Sequence, residues 1–418
     1  MNGSYKRWFA ALMVIVAVML AGAALVVGPS AGVVRADDEE GGATTKKQSK
    51  DESSKTGKKD GASKSGGKSK SSDRKTISVG NKMDMSPVPA DEKLEKKLLK
   101  ELGAGFKVKR TPHYSILYDT NEEDLAAFSH AIERTYRGCG KFCLSLGIEV
   151  LIPERKMIAY FFNEFADYGK MKESLGAGKP DPNNTGFYLP KNNYSYFYNF
   201  RNTPEFKRAR EDAEKRLADL GKQFRDSKDA AARKSLQSQM NDARRIINRT
   251  DSFGGGVTEE TLQHEVAHQV LWNIGFHNPK EFVANPRWFA EGIAQLFEPV
   301  SEGGAGNMGL VNRERLKNYQ AVADADRLIP LKDFVSTAEP FMRGDAGGLA
   351  YPQSWALAHY LVRVKRKETK AYVELILKRP KGYKTSPEEE LELFEKCFGK
   401  ADKKWEKKWK SWMKSVRP

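Results

Sequence analysis

Cysteine is scarce, with three in 418 residues at positions 139, 143 and 397. An odd and small set excludes a disulfide framework, and no spacing among them fits a cysteine-based metal site. Cys139 and Cys143 stand four apart in a stretch of helical pattern, which is poor geometry for bonding each other. They read as small buried side chains, with at most one bridge in the chain. Large apolar residues are nearly missing from residues 37–80, a run of Gly, Ser, Lys, Thr and Asp. That excludes a packed core there and marks a disordered Lys/Ser/Gly-rich linker. Acidic residues are also short, 55 against 71 Lys and Arg, for a net charge of +16. Residues 41–76 hold eleven Lys/Arg against four acids, and residues 399–418 hold eight against two. These two tails carry thirteen of the sixteen surplus charges, so the body between them is close to neutral. A basic groove specific for nucleic acid is thereby excluded, and the tails suit solubility or contact with an anionic or membrane surface.

What is present begins at the N-terminus. Lys6 and Arg7 precede an uncharged apolar run from Trp8 to Val27, the charge asymmetry of an export signal. Val34-Arg35-Ala36 offers a cleavage site, yet the run is also long enough to span a bilayer. Residues 1–36 therefore read as a signal peptide or a signal anchor. Either way the chain is exported: periplasmic, extracellular or membrane-anchored and facing outward. No cysteine follows the run, which argues against a lipid-modified N-terminus.

Folded structure is expected from near Pro87. Apolar spacing predicts a helix over 91–102, with Leu94, Leu98 and Leu99 on one face. Alternation predicts strands at 113–118 and 156–162, with helices over 122–146 and 164–175 between and after them. Gly186-Phe-Tyr-Leu and Tyr194-Ser-Tyr-Phe-Tyr read as two aromatic strands joined through Pro190-Lys-Asn-Asn, whose free edge could pair with an extended peptide. Residues 87–203 thus form an N-terminal α/β part. Residues 204–250 are highly charged with few breakers and predict a helical-hairpin insertion. Leu328 to Val335 is a short apolar connection, and helices follow at 352–366, 368–378 and 386–397. Trp405, Trp409 and Trp412 share one face of a last Lys-rich helix, a face suited to packing on the body.

The chemistry concentrates in residues 251–300. Gly254-Gly-Gly makes an entry, Thr258 can cap, and a helix runs to Gly275 with Leu262, Val266, Val270 and Ile274 as its apolar stripe. Within it, residues 264–268 read His-Glu-Val-Ala-His. On a helix, His264 and His268 lie on one face and can hold one metal ion, with Glu265 placed beside them as a base. A third ligand is required. Glu291 lies in a second amphipathic helix among Trp288, Phe289, Ile293 and Ala294, where a carboxylate needs a positive partner such as zinc. His277 and His359 read as solvated or hydrogen-bonded histidines outside the site.

These segments resemble the gluzincin zinc metallopeptidases, whose pattern is His-Glu-x-x-His, a gap, then Trp-x-x-Glu-Gly, matched here at 264–268 and 288–292. Gln269 and Asn273 match the aminopeptidase branch. Tyr351-Pro-Gln-Ser-Trp-Ala-Leu-Ala-His-Tyr-Leu is similar to that branch's helix that begins with an oxyanion-stabilising tyrosine. The layout resembles the peptidase-MA-like exported bacterial proteins of unknown function. The resemblance implies one Zn²⁺ per chain on His264, His268 and Glu291, with Glu265 as general base and Tyr351 on the oxyanion. No Gly-x-Met-Glu-Asn element precedes the metal helix, so endopeptidase action on a peptide or protein substrate is favoured over aminopeptidase action. The expected fold is α+β, a small mixed sheet with helices followed by a mainly helical zincin region, with residues 301–418 as its C-terminal helical part. The competing reading is a catalytically silent chain of the same fold, serving as a cell-surface binding or structural module.

Overall fold

Asp91 starts the first helix by accepting the backbone N–H of Leu94, and the helix ends at Gly103, whose positive φ is readily reached only by glycine. The computed structural model describes residues 74–182, 184–251, 259–278, 285–299, 310–342 and 347–417. The export segment, nearly all of the linker, the glycine entry and the Thr258 cap lie outside the described residues.

In chain order the N-terminal half runs β1 (Thr76–Ile77), α1 (Glu92–Leu102), β2 (Lys107–Arg110), β3 (Tyr114–Tyr118) and α2 (Glu122–Ser145). Then come β4 (Val150–Leu151), β5 (Met157–Phe162), α3 (Phe165–Ser174), β6 (Gly186–Leu189) and β7 (Tyr194–Tyr198). Five strands form one mixed sheet in the order β2-β3-β5-β7-β6. The three central strands are parallel, and β2 and β6 add antiparallel edges. Helices α2 and α3 supply the crossovers that parallel neighbours require.

Successive side chains leave a strand on opposite faces, so each strand feeds two cores. Ile116, Ala159, Phe161 and Phe197 join the larger core, which includes residues of α2 and of the metal helix. Leu117, Ile158, Tyr160, Phe162 and Tyr196 join a smaller core with Leu98 and Tyr168 of α1 and α3. Both faces are covered, and every residue of β3 is buried.

The second half is helical: α4 (Pro204–Asp226), α5 (Ala230–Asp251), α6 (Glu259–Asn273), α7 (Arg287–Gln295), α8 (Arg313–Asp324) and α9 (Leu331–Ser336). It ends with α10 (Gly347–Val364), α11 (Arg366–Lys378), α12 (Pro387–Phe398) and α13 (Lys403–Ser415). The architecture is α+β, as expected. Helices α4 and α5 form the anticipated hairpin and bury few residues, among them Phe206, Ala209, Ala213 and Leu220. On α13, Trp405 and Trp409 turn inward and donate to the carbonyls of Phe398 and Ala356 at 3.0 and 3.3 Å, while most of its lysines are exposed. All three cysteines are free. No helix among the described residues is long and apolar enough to cross a membrane.

Several elements depart from expectation. Structure begins before Pro87, because Thr76–Ile77 already pairs with Val150–Leu151. The Lys-Val-Lys-Arg of β2 alternates charges along a sheet edge, where solvent tolerates them. The apolar connection at 328–335 contains the short helix α9, with Leu331, Phe334 and Val335 buried. Helix α10 begins at Gly347 and carries Pro352 inside it. Burial of Ala350, Tyr351 and Trp355 outweighs the hydrogen bond that proline removes.

Candidate metal centre

Helix α6 is fixed against the sheet by polar contacts as well as apolar packing. Leu262, Val266 and Val270 are fully buried. On another side, the Gln269 amide nitrogen donates to the carbonyls of Ile158 at 2.9 Å and Asn193 at 2.7 Å, and its oxygen accepts from the Ser195 hydroxyl at 2.9 Å. The Asn273 amide donates to the Asn193 side-chain oxygen at 2.9 Å. Asn193 sits in the turn of the β6–β7 hairpin at φ 62°, a conformation asparagine tolerates. Rotation and height of α6 relative to β5, β6 and β7 are thereby set.

Helix α7 is seated by a close crossing with α10. A Cβ on Gly292 would lie 2.5 Å from the Ser354 carbonyl oxygen and 2.9 Å from the Ala358 Cβ. The Ser354 hydroxyl donates to the Trp288 carbonyl in the same crossing. The residue before Gly292 is Glu291, so this glycine decides how near its carboxylate comes to α6.

Three ligand-type atoms converge there. His264 Nε2 and His268 Nε2 are 3.1 Å apart, and Glu291 Oε2 lies 3.2 Å from the first and 3.5 Å from the second. A tetrahedral zinc ion with bonds of about 2.0–2.1 Å separates its ligands by roughly 3.3 Å, so the donor set and its spacing fit that ion. His264 and Glu291 are buried, at 7% and 4% exposure. Burial alone would raise the Glu291 carboxyl, yet His268, His264 and Arg287 hold it well below the usual range.

The first histidine is oriented from behind. Its Nδ1 lies 3.0 Å from Glu298 Oε1, and Glu298 receives Arg315 Nε and Nη2 at 2.9 Å each and the Asn312 amide at 2.9 Å. With the carboxylate accepting, a proton sits on Nδ1, which leaves Nε2 as the atom that faces His268 and Glu291. Burial opposes ionisation of Glu298, but Arg315 and His264 outweigh it and hold the carboxyl at about 2. The sequence reading missed all three partners. Glu298 lies beyond the end of α7, and Asn312 and Arg315 begin α8, so no local spacing ties them to His264.

Glu265 is buried beside the ligands, and its Oε2 accepts the backbone N–H of Tyr188 at 2.8 Å. Burial raises its carboxyl, with the two histidine charges opposing. Tyr188 belongs to β6, an edge strand of the sheet, and its ring lies 6.4 Å from that of His268. Tyr351 lies within electrostatic reach of Arg287, whose Nε is 3.6 Å from Glu291 Oε1. Tyr351 is thus linked to the ligand set through one guanidinium.

Residues 259–381 match the model of a family described as a protein of unknown function (DUF1570). That description carries no activity. The matched stretch contains His264, Glu265, His268, Glu291 and Tyr351, and also Glu298 and Arg315. No curated protein and no solved structure matches the chain.

The remaining histidines stand apart from the ligand atoms. His277 is buried behind α6, where burial lowers its pKa to about 3, with His268 pushing the same way. His359 stacks on Trp355 at 5.1 Å, and burial lowers its pKa to about 4. Among the described residues, the metal-type cluster of His, Cys, Asp and Glu is His264, His268 and Glu291.

Proposed function

We propose that this chain is an exported zinc-dependent metallopeptidase that hydrolyses internal bonds of a peptide or protein substrate. The observation that carries the reading is the convergence of two imidazoles and one carboxylate beside a buried glutamate. His264, His268 and Glu291 would hold one zinc ion per chain, and the ion when bound would supply Lewis-acid activation of water near neutral pH.

The protein's own groups divide the remaining work. Glu265, held by the Tyr188 N–H, takes a proton from the attacking water and returns it to the leaving amine. Tyr351, beside Arg287, donates its hydroxyl to the developing oxyanion. Glu298 keeps His264 in its ligating tautomer. Strand β6 lies at the sheet edge beside Glu265, where an extended substrate can add as a further strand, held by the main-chain groups that Glu265 does not engage. An edge of that kind has no need of a free terminal amine, in keeping with endopeptidase action. Export rests on the N-terminal apolar run.

The test is Glu265→Gln in the full chain. Zinc, measured by elemental analysis, stays at one per chain, and cleavage of a broad peptide library drops by at least about 10³-fold. Purified protein without zinc would falsify the reading. Zinc present with no peptide cut would favour a silent binding module of the same fold.

A further inference from the structure

Beside the edge strand that holds Glu265 stands a polar pair that hydrolysis leaves unused. Lys172 of α3 is 3% exposed, and its Nζ stands 5.4 Å from the centre of the Phe187 ring on β6. Among the described residues it makes no hydrogen bond and no ion pair at bonding distance, and the acidic charges that act on it are those of Glu265 and Asp181. With no carboxylate at bonding distance, an ammonium largely withdrawn from water is left able to take one. Thr185 is 2% exposed, and its hydroxyl likewise has no partner. It lies two residues before Phe187, and its carbonyl continues the β6–β7 ladder by accepting the Tyr198 N–H. Alternation therefore puts its side chain on the same face as Phe187, the face closed by α3.

The position relative to the chemistry is set by the same strand. Phe187 turns toward Lys172, while the next residue, Tyr188, gives its N–H to Glu265. Burial draws the Lys172 pKa down, and the charges of Glu265 and Asp181 oppose that shift. The ammonium is thus within electrostatic reach of the proposed base. Glu265 is already engaged by Tyr188.

We propose that Lys172 and Thr185 form an anion-recognition subsite that selects substrates carrying an Asp or Glu side chain on the segment laid along β6. One ammonium and one hydroxyl match the two oxygens of a carboxylate, and a charge-assisted pair of that kind is strong where water is excluded. The Phe187 ring closes the apolar side of the subsite. This specificity rests on the peptidase reading, since it is the cleaved segment that β6 receives.

The experiment uses the zinc-loaded full chain and peptides paired so that Glu in one is Gln in the other. The expected kcat/KM ratio, Glu over Gln, is about tenfold or more. Lys172→Met collapses that ratio toward one, Lys172→Arg keeps part of it, and Thr185→Val reduces it. A wild-type ratio near one overturns the proposal, as does a Lys172→Met enzyme slowed equally on both peptides. A second readout is calorimetric binding of the same peptides to the zinc-free chain. Preferential binding of the Glu peptide that Lys172→Met abolishes supports the subsite even if nothing is cleaved, in which case the peptidase reading alone fails. Equal binding of both peptides overturns the subsite.

Discussion

Arg315 and Arg379 each grip a buried glutamate at two points, Arg315 on Glu298 at 2.9 Å twice and Arg379 on Glu390 at 2.9 and 2.8 Å. Burial is also alike, with Glu298 at 3% exposure and Glu390 at 6%. The difference is the third partner. Glu298 also meets Nδ1 of His264, so its position reaches the ligand atoms, whereas the Arg379–Glu390 pair joins the end of α11 to α12. The same interaction stands behind the candidate metal centre in one place and joins two helices in the other, and only its neighbours reveal which.

The contrast can be broken most forcefully by Arg315→Ala. Glu298 would then be buried without its countercharge, with an expected stability loss of about 3–5 kcal/mol and a fall in zinc affinity of roughly 10–100-fold. Denaturant unfolding and zinc titration read the two effects. Arg379→Ala should cost a similar or somewhat smaller amount of stability, about 3 kcal/mol, with zinc affinity unchanged. A loss of affinity there would erase the distinction.

Glu298→Gln sharpens the comparison, because the neutral amide can still accept from His264 while losing the carboxylate charge. Zinc affinity is expected to fall roughly tenfold, and the matching Glu390→Gln should leave it intact. The smallest effect is expected from Arg210→Ala in the α4–α5 hairpin, where Arg210 and Glu214 form an exposed pair. A change within about 0.5 kcal/mol and no change in zinc binding place that hairpin outside the site's support.

Much of the fold was legible because its signals are local. Strands β3, β5, β6 and β7 announce themselves by aromatic and apolar runs, and α1 by its leucine spacing. Helix α8 escaped notice because only Leu316 and Tyr319 of its twelve residues are buried, too few to mark a face. Strand β1 is two residues long and exists only through its pairing with β4. The site divides in the same way. The i, i+4 histidines and the carboxylate among apolar residues stand out in the chain, whereas the donor that holds Glu265 is a backbone N–H, which no residue type advertises.

The residue order alone determined the candidate ligand types, the glutamate beside them and the α+β division of the chain, since each depends on spacings within one helix or strand. Tertiary structure decided that Glu291 reaches the histidines, that Glu298 and Arg315 stand behind His264, and that Lys172 ends buried beside β6. Those contacts join residues far apart in the chain or on separate elements. They form only when packing of the sheet, α6, α7 and α8 brings the elements together, because hydrogen bonds and ligand distances fall off within an ångström while sequence patterns record only what each segment buries.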